Sequence, residues 1–494
     1  MGKEIMIRDL TFSYGGNGNQ LEHISLDIAA GEVIVMTGPS GSGKSSLTRV
    51  INGLIPYFYE GELSGEVFVD GKPLKEIPSW ERGKIVGNVF QDPRSQFFAN
   101  EVAGEVAFGC ENYGYSHEEI RNHVHRAAAD IKIQDILDHS LHSLSYGMRQ
   151  KVAIASAEAI DPEIYVMDEP SANLDIASTY RFADIIRDLK QQGKTIIIAE
   201  HRLYYLMDLA DRFLCVQKGK IVREFTAQQM KALSNEEIRV LGLRTPDLHQ
   251  IEQAEIPSAA TSEVVLEVKK LNHSFGETIV AKDIDFQCRK GEVIALIGPN
   301  GTGKSTIGRI LAGLLKEKSG EVVLFGKHCR PKGRLGKVWY IPQDLDSQLF
   351  GEDLLDELTT GAEVSPERKQ AAEEILEALE LMPFIKQHPS TLSGGQKQRL
   401  ALGVALMHEA PIIVLDEPTS GLDGTNMRNV SRMIRKLAKM GRTIIVITHD
   451  AECALACCER AIRLENGCIT DDFQIRGAEL LLDKIGYDQK EGYE

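Results

Sequence analysis

The chain states its main motifs twice. GEVIVMTGPSGSGKSS (31–46) returns as GEVIALIGPNGTGKST (291–306), EIYVMDEPSANLD (163–175) as PIIVLDEPTSGLD (411–423), and KTIIIAEHR (194–202) as RTIIVITHD (442–450). Lys44 and Lys304 stand 260 places apart, whereas Asp168 and Asp416, like His201 and His449, stand 248 apart, so the first copy is longer by 12 residues between its first two landmarks. A repeated order of motifs at this spacing means a duplicated domain. In each copy, short β-type runs (VIVM, IYVM, TIIIA) precede helical patterns, which predicts parallel βα units and an α/β fold. We therefore expect a first domain over residues 1–235, a linker over 236–262 and a second domain over 263–494. The stretch AQQMKALSNEEIRVLGLRTPDLHQIEQAEIPSAATSE (227–263) becomes polar and rich in small residues in its second half, with one helix expected in its first part.

Composition narrows the function. With 43% hydrophobic and 26% charged residues the 494-residue chain has material for sizeable cores. A formal net charge of −16 argues against a surface built to neutralise nucleic-acid phosphates, so no nucleic-acid partner is expected. No apolar run reaches the ~18 residues of a membrane helix, and the start MGKEIMIRDL has no signal-peptide core, which points to the cytoplasm. The eight Cys show no CxxC spacing, and Cys453, Cys457 and Cys458 read as small core residues. The His-rich stretch from His117 to His142 reads as a solvated helical face.

The first motif carries phosphate chemistry. Gly38, Pro39, Ser40, Gly41, Ser42, Gly43, Lys44 and Ser45, followed by Ser46, fit G-x-x-x-x-G-K-[ST] between a strand and a helix. So do Gly298, Pro299, Asn300, Gly301, Thr302, Gly303, Lys304 and Ser305, followed by Thr306. Glycines let backbone N–H groups curl around phosphates, the Lys reaches the β/γ oxygens, and the Ser hydroxyl holds Mg²⁺. The second motif is an apolar strand ending in two acids. Asp168 and Asp416 are placed to hold Mg²⁺, and Glu169 and Glu417 to orient and deprotonate an attacking water. His201 and His449, each 33 places beyond its Asp, are candidates for sensing the γ-phosphate.

TLSGGQKQR (391–399) stands upstream of the second Asp-Glu strand and SLSYGMRQK (143–151) upstream of the first. With these the set resembles the nucleotide-binding domain of ABC ATPases, twice over nearly the whole chain. The resemblance implies an α/β fold of two P-loop NTPase domains, each with a RecA-like core, an antiparallel β subdomain and a helical subdomain. It implies ATP and Mg²⁺ as cofactors and an ATPase activity, with two ATP molecules per chain sandwiched head to tail. In the signature motif it singles out Ser145 and Gly147 in the first copy and Ser393, Gly394, Gly395 and Gln396 in the second. Tyr14 and Phe275 look like the aromatic that stacks on adenine. Asp175 and Asp423 match the D-loop, and Gln91 and Gln343 match the Gln that binds Mg²⁺ and couples the domain to its partner.

NVFQDPRSQFF (88–98), YIPQDLDSQLF (340–350), EVAFGCENYG (105–114), NGLIPYFYEGELSGEVFVDG (52–71) and AEHRL (199–203) are most similar to the fused ATPase subunits of energy-coupling factor (ECF) importers. That likeness implies a motor on the cytoplasmic face of a bacterial or archaeal membrane. Its partners would be a transmembrane coupling subunit and a substrate-binding membrane subunit for a vitamin, vitamin precursor or metal ion. Gly104 departs from the pattern, which has an acid there, as Asp356 is in the second copy. Competing readings are the tandem ATPase of a sugar importer and a non-transport ABC ATPase acting on ribosomes. In a head-to-tail pair the motif altered by Tyr146 and Met148 serves the ATP held by Lys304, Asp416, Glu417 and His449, which predicts unequal sites.

Overall fold

The computed structural model describes residues 2–15, 18, 20–251, 260–360 and 365–487. The chain divides into two compact units, with the boundary along the sequence between Asp247 and Leu248. In the first, the strands are β1 (Ile5–Ser13), β2 (Leu21–Ile28), β3 (Val33–Thr37), β4 (Glu62–Val69), β5 (Lys72–Pro73), β6 (Val86–Val89), β7 (Ile164–Asp168), β8 (Thr195–Ala199), β9 (Arg212–Gln217) and β10 (Lys220–Phe225). They form an antiparallel sheet in the order β2-β1-β4-β5 and a six-stranded sheet in the order β10-β9-β3-β8-β7-β6. From β9 to β6 the second sheet is parallel.

The runs VIVM, IYVM and TIIIA became β3, β7 and β8 because they are apolar on both faces, as a strand covered on both sides must be. Alternation then divides them between two cores. Val33, Val35, Tyr165 and Met167 face one way, onto the helix Ile176–Gln191 and the helical segment that includes Val102–Asn112, His117–Ile131 and Tyr146–Glu158. Ile34, Met36, Ile164 and Val166 face the other way, onto the helix Lys44–Ile51 and the antiparallel sheet.

The second unit repeats this plan. Its strands are β11 (Val264–Phe275), β12 (Thr278–Arg289), β13 (Val293–Ile297), β14 (Ser319–Leu324), β15 (Lys327–His328), β16 (Val338–Ile341), β17 (Ile412–Asp416), β18 (Thr443–Ile447), β19 (Arg460–Glu465) and β20 (Cys468–Gln474). The sheet orders are β12-β11-β14-β15 and β16-β17-β18-β13-β19-β20.

Three expectations shift. The first unit runs on to Asp247, past residue 235, because the helix Asn235–Leu241 buries Ile238 and Gln217 donates to the Leu241 carbonyl. Two short helices, Ala227–Lys231 and Asn235–Leu241, stand where one was expected, and residues 252–259 of the linker lie outside the described residues. The His-rich stretch is only partly solvated. Its helix buries Val124, Ala127, Ala128 and Ile131, and His123 Nδ1 lies 2.7 Å from the Ala159 carbonyl. Cys453, Cys457 and Cys458 are buried thiols.

Candidate active sites

Each phosphate loop is shaped by backbone that only glycine tolerates. Gly38 (φ 138°) and Gly298 (φ 137°) lie so close to the next strand that a Cβ would come within 2.0 Å of the carbonyl oxygen of Val216 or Leu464. Gly43 and Gly303, also left-handed, cap the helices Lys44–Ile51 and Lys304–Leu311, whose first turns carry Ser45, Ser46, Ser305 and Thr306. Ser40, Gly41, Asn300 and Gly301 form the exposed rims. Ser42 N–H and Thr302 Oγ1 tie the loops to the carbonyls of Pro39 and Pro299. Buried Lys44 donates to the Gly38 and Pro39 carbonyls at 2.9 Å each, and Lys304 to Gly298 and Pro299 at 2.8 and 2.7 Å. A helix N-terminus, a glycine cradle and a buried cation together fit a nucleotide's phosphates.

The two acids end their strand under strain. Glu169 (φ 45°) and Glu417 (φ 49°) adopt left-handed backbone, pinned by their N–H groups to the carbonyls of Ala199 and Ile447 at 2.8 Å. In the first unit Ser45 Oγ lies 3.1 Å from Asp168 Oδ1. Burial pushes the Asp168 carboxyl up to about 6, with Glu169 beside it adding to the rise. Glu169 receives the Gln91 amide at 2.8 Å. His201 Nε2 stands 3.2 Å from Glu169 Oε1, outside hydrogen-bond alignment.

The second unit is wired differently. His449 presents Nδ1 to Glu417 Oε1 at 2.7 Å, with Thr448 Oγ1 at 3.4 Å from the other oxygen. Asp416 is held by Tyr340 Oη at 2.5 Å and hydrogen-bonds the Ser305 side chain. Its carboxyl is raised by burial, against the pull of these two hydroxyls. Asn88 occupies the place of Tyr340 in the first unit. In both units a carboxylate beside a serine hydroxyl is an all-oxygen set suited to Mg²⁺. Gln91 and Gln343, just past β6 and β16, are exposed.

The remaining expected residues divide by role. Tyr14, at the end of β1, hydrogen-bonds Ser46 at 3.3 Å and packs edge-on to Phe12 beside the phosphate loop. Phe275, ending β11, is 55% exposed, free to offer a ring face. Asp175 and Asp423 are buried N-caps of the helices Ile176–Gln191 and Gly424–Lys439, accepting from Ser178 and Asn426. Ser145 and Ser393 cap the helices Tyr146–Glu158 and Gly394–Met407, with Gly147 and Gly395 in the first turns. Gln396 turns back to accept the Ser393 N–H at 2.8 Å, completing a capping box that Met148 cannot form. Gly394 begins its helix with room for a side chain, a Cβ there meeting only Leu422 at 3.5 Å.

Sequence reading missed a buried carboxylate in each unit. Glu200 accepts from Ser171 Oγ (2.7 Å), Ser171 N (3.3 Å), His201 N (2.7 Å), Arg202 N (3.1 Å) and Tyr205 Oη (2.8 Å). Asp450 accepts from Thr419 Oγ1 at 2.7 Å, and Thr419 is the counterpart of Ser171. The signal lay in the strings AEHR and ITHD, each with an acid beside its histidine.

The family model for ABC transporters matches residues 21–172 and 281–420. A Treponema denticola protein named "Putative ABC transporter ATP-binding protein" is 39% identical over 96% of this chain and 98% of its own length. A Bacillus subtilis protein named "Putative HMP/thiamine import ATP-binding protein" is 32% identical over 91% of this chain and 87% of its own. A solved model of ribosome-bound archaeal Pelota and ABCE1 superposes with a TM-score of 0.69, at 24% identity, over 97% of this chain and 81% of that one, a likeness of fold.

Proposed function

The chain belongs to the ABC transporter family, and from that premise we propose that this tandem ATPase is the motor subunit of an ECF-type importer. The observation that carries the reading is a matched pair of exposed aromatics beyond Gln91 and Gln343. Phe98 and Phe350, 252 places apart, are 74% and 77% exposed. Each sits on a loop gripped by a buried glutamate. Glu105 accepts from Phe98 N and Ala99 N at 2.8 and 2.9 Å, and Glu357 from Phe350 N and Gly351 N at 2.7 and 2.6 Å. An exposed aromatic on a rigid loop fits a protein partner, and two matched copies fit the two ends of a membrane coupling subunit. Where Gly104 replaces an acid, the bond from Glu352 N to Asp356 has no counterpart in the first unit, and both buried glutamates remain. Among the described residues no helix is long and apolar enough to cross a membrane, so on this reading the spanning part comes from other chains.

The roles in hydrolysis follow from the two sites. Lys44 and Lys304 bind the phosphates of ATP, while Ser45, Asp168 and Gln91, with Ser305, Asp416 and Gln343, would hold Mg²⁺, which neutralises charge at the transferred phosphoryl. Glu169 and Glu417 orient and deprotonate the water, His201 and His449 sense the γ-phosphate, and His449 also holds the Glu417 carboxylate. Tyr14 and Phe275 stack on adenine. On this reading each signature motif, through Ser145 or Ser393, faces the ATP of the other unit, and hydrolysis reopens the pair. The substrate is chosen by a separate membrane subunit and is a vitamin, a vitamin precursor or a metal ion.

The test is purification from detergent-solubilised membranes, with mass spectrometry of co-bound small molecules. The expected result is co-purification with integral membrane proteins, lost in the double variant Phe98→Asp, Phe350→Asp. Sedimentation with ribosomes in ATP, without membrane partners, would sink the reading.

A further inference from the structure

Tyr146 replaces the first glycine of the signature motif, and its ring does not simply occupy that position. Its hydroxyl donates to the backbone carbonyl of Gln91 at 2.6 Å, and the Asn173 side chain is a further partner. The same Gln91 sends its amide to Glu169 at 2.8 Å. A single connection therefore runs from the start of the helix Tyr146–Glu158, through Gln91, to the carboxylate at the end of β7, all inside the first unit.

The second unit supplies the comparison. There the counterparts of Tyr146 and Asn173 are Gly394 and Gly421, so both partners of this contact are absent together. That unit stabilises the start of its signature helix with the Gln396 box, and the first, with Met148 at that place, has the Tyr146 strap.

We propose that Tyr146 is a positioning residue for ATP hydrolysis in its own unit, holding Gln91 so that its amide stays on Glu169. The proposal rests on the reading of Glu169 as the group that activates water. It differs from what the motif alone implies, an effect confined to the ATP of the opposite unit.

The test is Tyr146→Phe, which keeps the ring in the motif and removes only the hydroxyl. We expect kcat for ATP to fall about fivefold with KM unchanged, the effect of losing one hydrogen bond from a positioning contact. Amide exchange at residues 91–96 should accelerate. In a Gln91→Ala background the substitution should cost little more, and in a Gln343→Ala background its full effect should remain, since coupled residues are non-additive and independent ones additive. A general weakening of the helix would multiply into both backgrounds equally. Unchanged kcat, unchanged exchange at 91–96, or a full further loss on top of Gln91→Ala overturns the proposal. Full turnover in Glu169→Gln would instead overturn the assignment of Glu169, which separates the two failures.

Discussion

Glu200→Gln tests whether the buried carboxylate ties the histidine strand to the Asp-Glu turn. In the wild type, Oε1 takes two backbone N–H groups, from His201 and Arg202, and Oε2 takes the hydroxyls of Ser171 and Tyr205 and the N–H of Ser171. A glutamine can place its carbonyl oxygen on the first pair. Its NH₂ then faces the second group, where both hydroxyls can turn and accept but the Ser171 N–H cannot. One donor is left unsatisfied, and four other bonds lose the strengthening of a charged acceptor, against which some desolvation cost of the carboxylate is regained. The net loss is about 2 kcal/mol, roughly a 30-fold increase in local opening. Native-state hydrogen exchange reads this directly, because opening is local to the segments the carboxylate joins. Peptides covering 168–175 and 196–206 should lose that protection while β1 and β2 keep theirs, and kcat should fall with the tie. Protection unchanged within about 0.5 kcal/mol in both peptides, or lost evenly across the unit, would refute the reasoning.

Three further outcomes are expected. Gly38→Ala or Gly298→Ala drives a methyl group into a carbonyl at 2.0 Å, so calorimetric titration should find one ATP bound per chain instead of two. Tyr340→Phe removes the 2.5 Å bond to Asp416 and should raise the Mg²⁺ concentration for half-maximal turnover about tenfold, as loss of a ligand's support typically does, whereas Asn88→Ala should leave it unmoved. Glu158, beside Tyr165, is pushed up to about 7 by burial. The folded state thus holds this proton where the unfolded state, near 4.5, has released it, and the group's contribution to stability falls as pH rises between those values. Glu158→Gln should flatten the Tm-against-pH curve between pH 5 and 7, and an unchanged slope would exclude Glu158 as its source.

The repeat made the fold legible. Three apolar runs per copy, each followed by a helix, led to the central strands, and glycine positions led to the loops that a Cβ would block. What the motifs did not convey was orientation. Gln396 sits in a motif read for nucleotide contact, yet its side chain caps its own helix. Tyr146 looked like a defect aimed at the other unit, yet it bonds to Gln91. Glu200 escaped because burial, which makes a carboxylate an organiser of N–H groups, does not register in a short string. Tyr340 escaped because an aromatic in a strand is ordinarily core, and only its reach to Asp416 gives it a role.

Glu200 comes just before its histidine and Asp450 just after, yet both hold the hydroxyl at the same place in the Asp-Glu turn. The duplication has preserved a contact and let the residue that makes it change sides. The two halves are thus not interchangeable column by column. A chimera that carries the turn from one copy without the matching histidine strand would set a hydroxyl opposite an acid of the wrong reach. The exchangeable part is the turn and the strand together, so any transplant between the copies must move both.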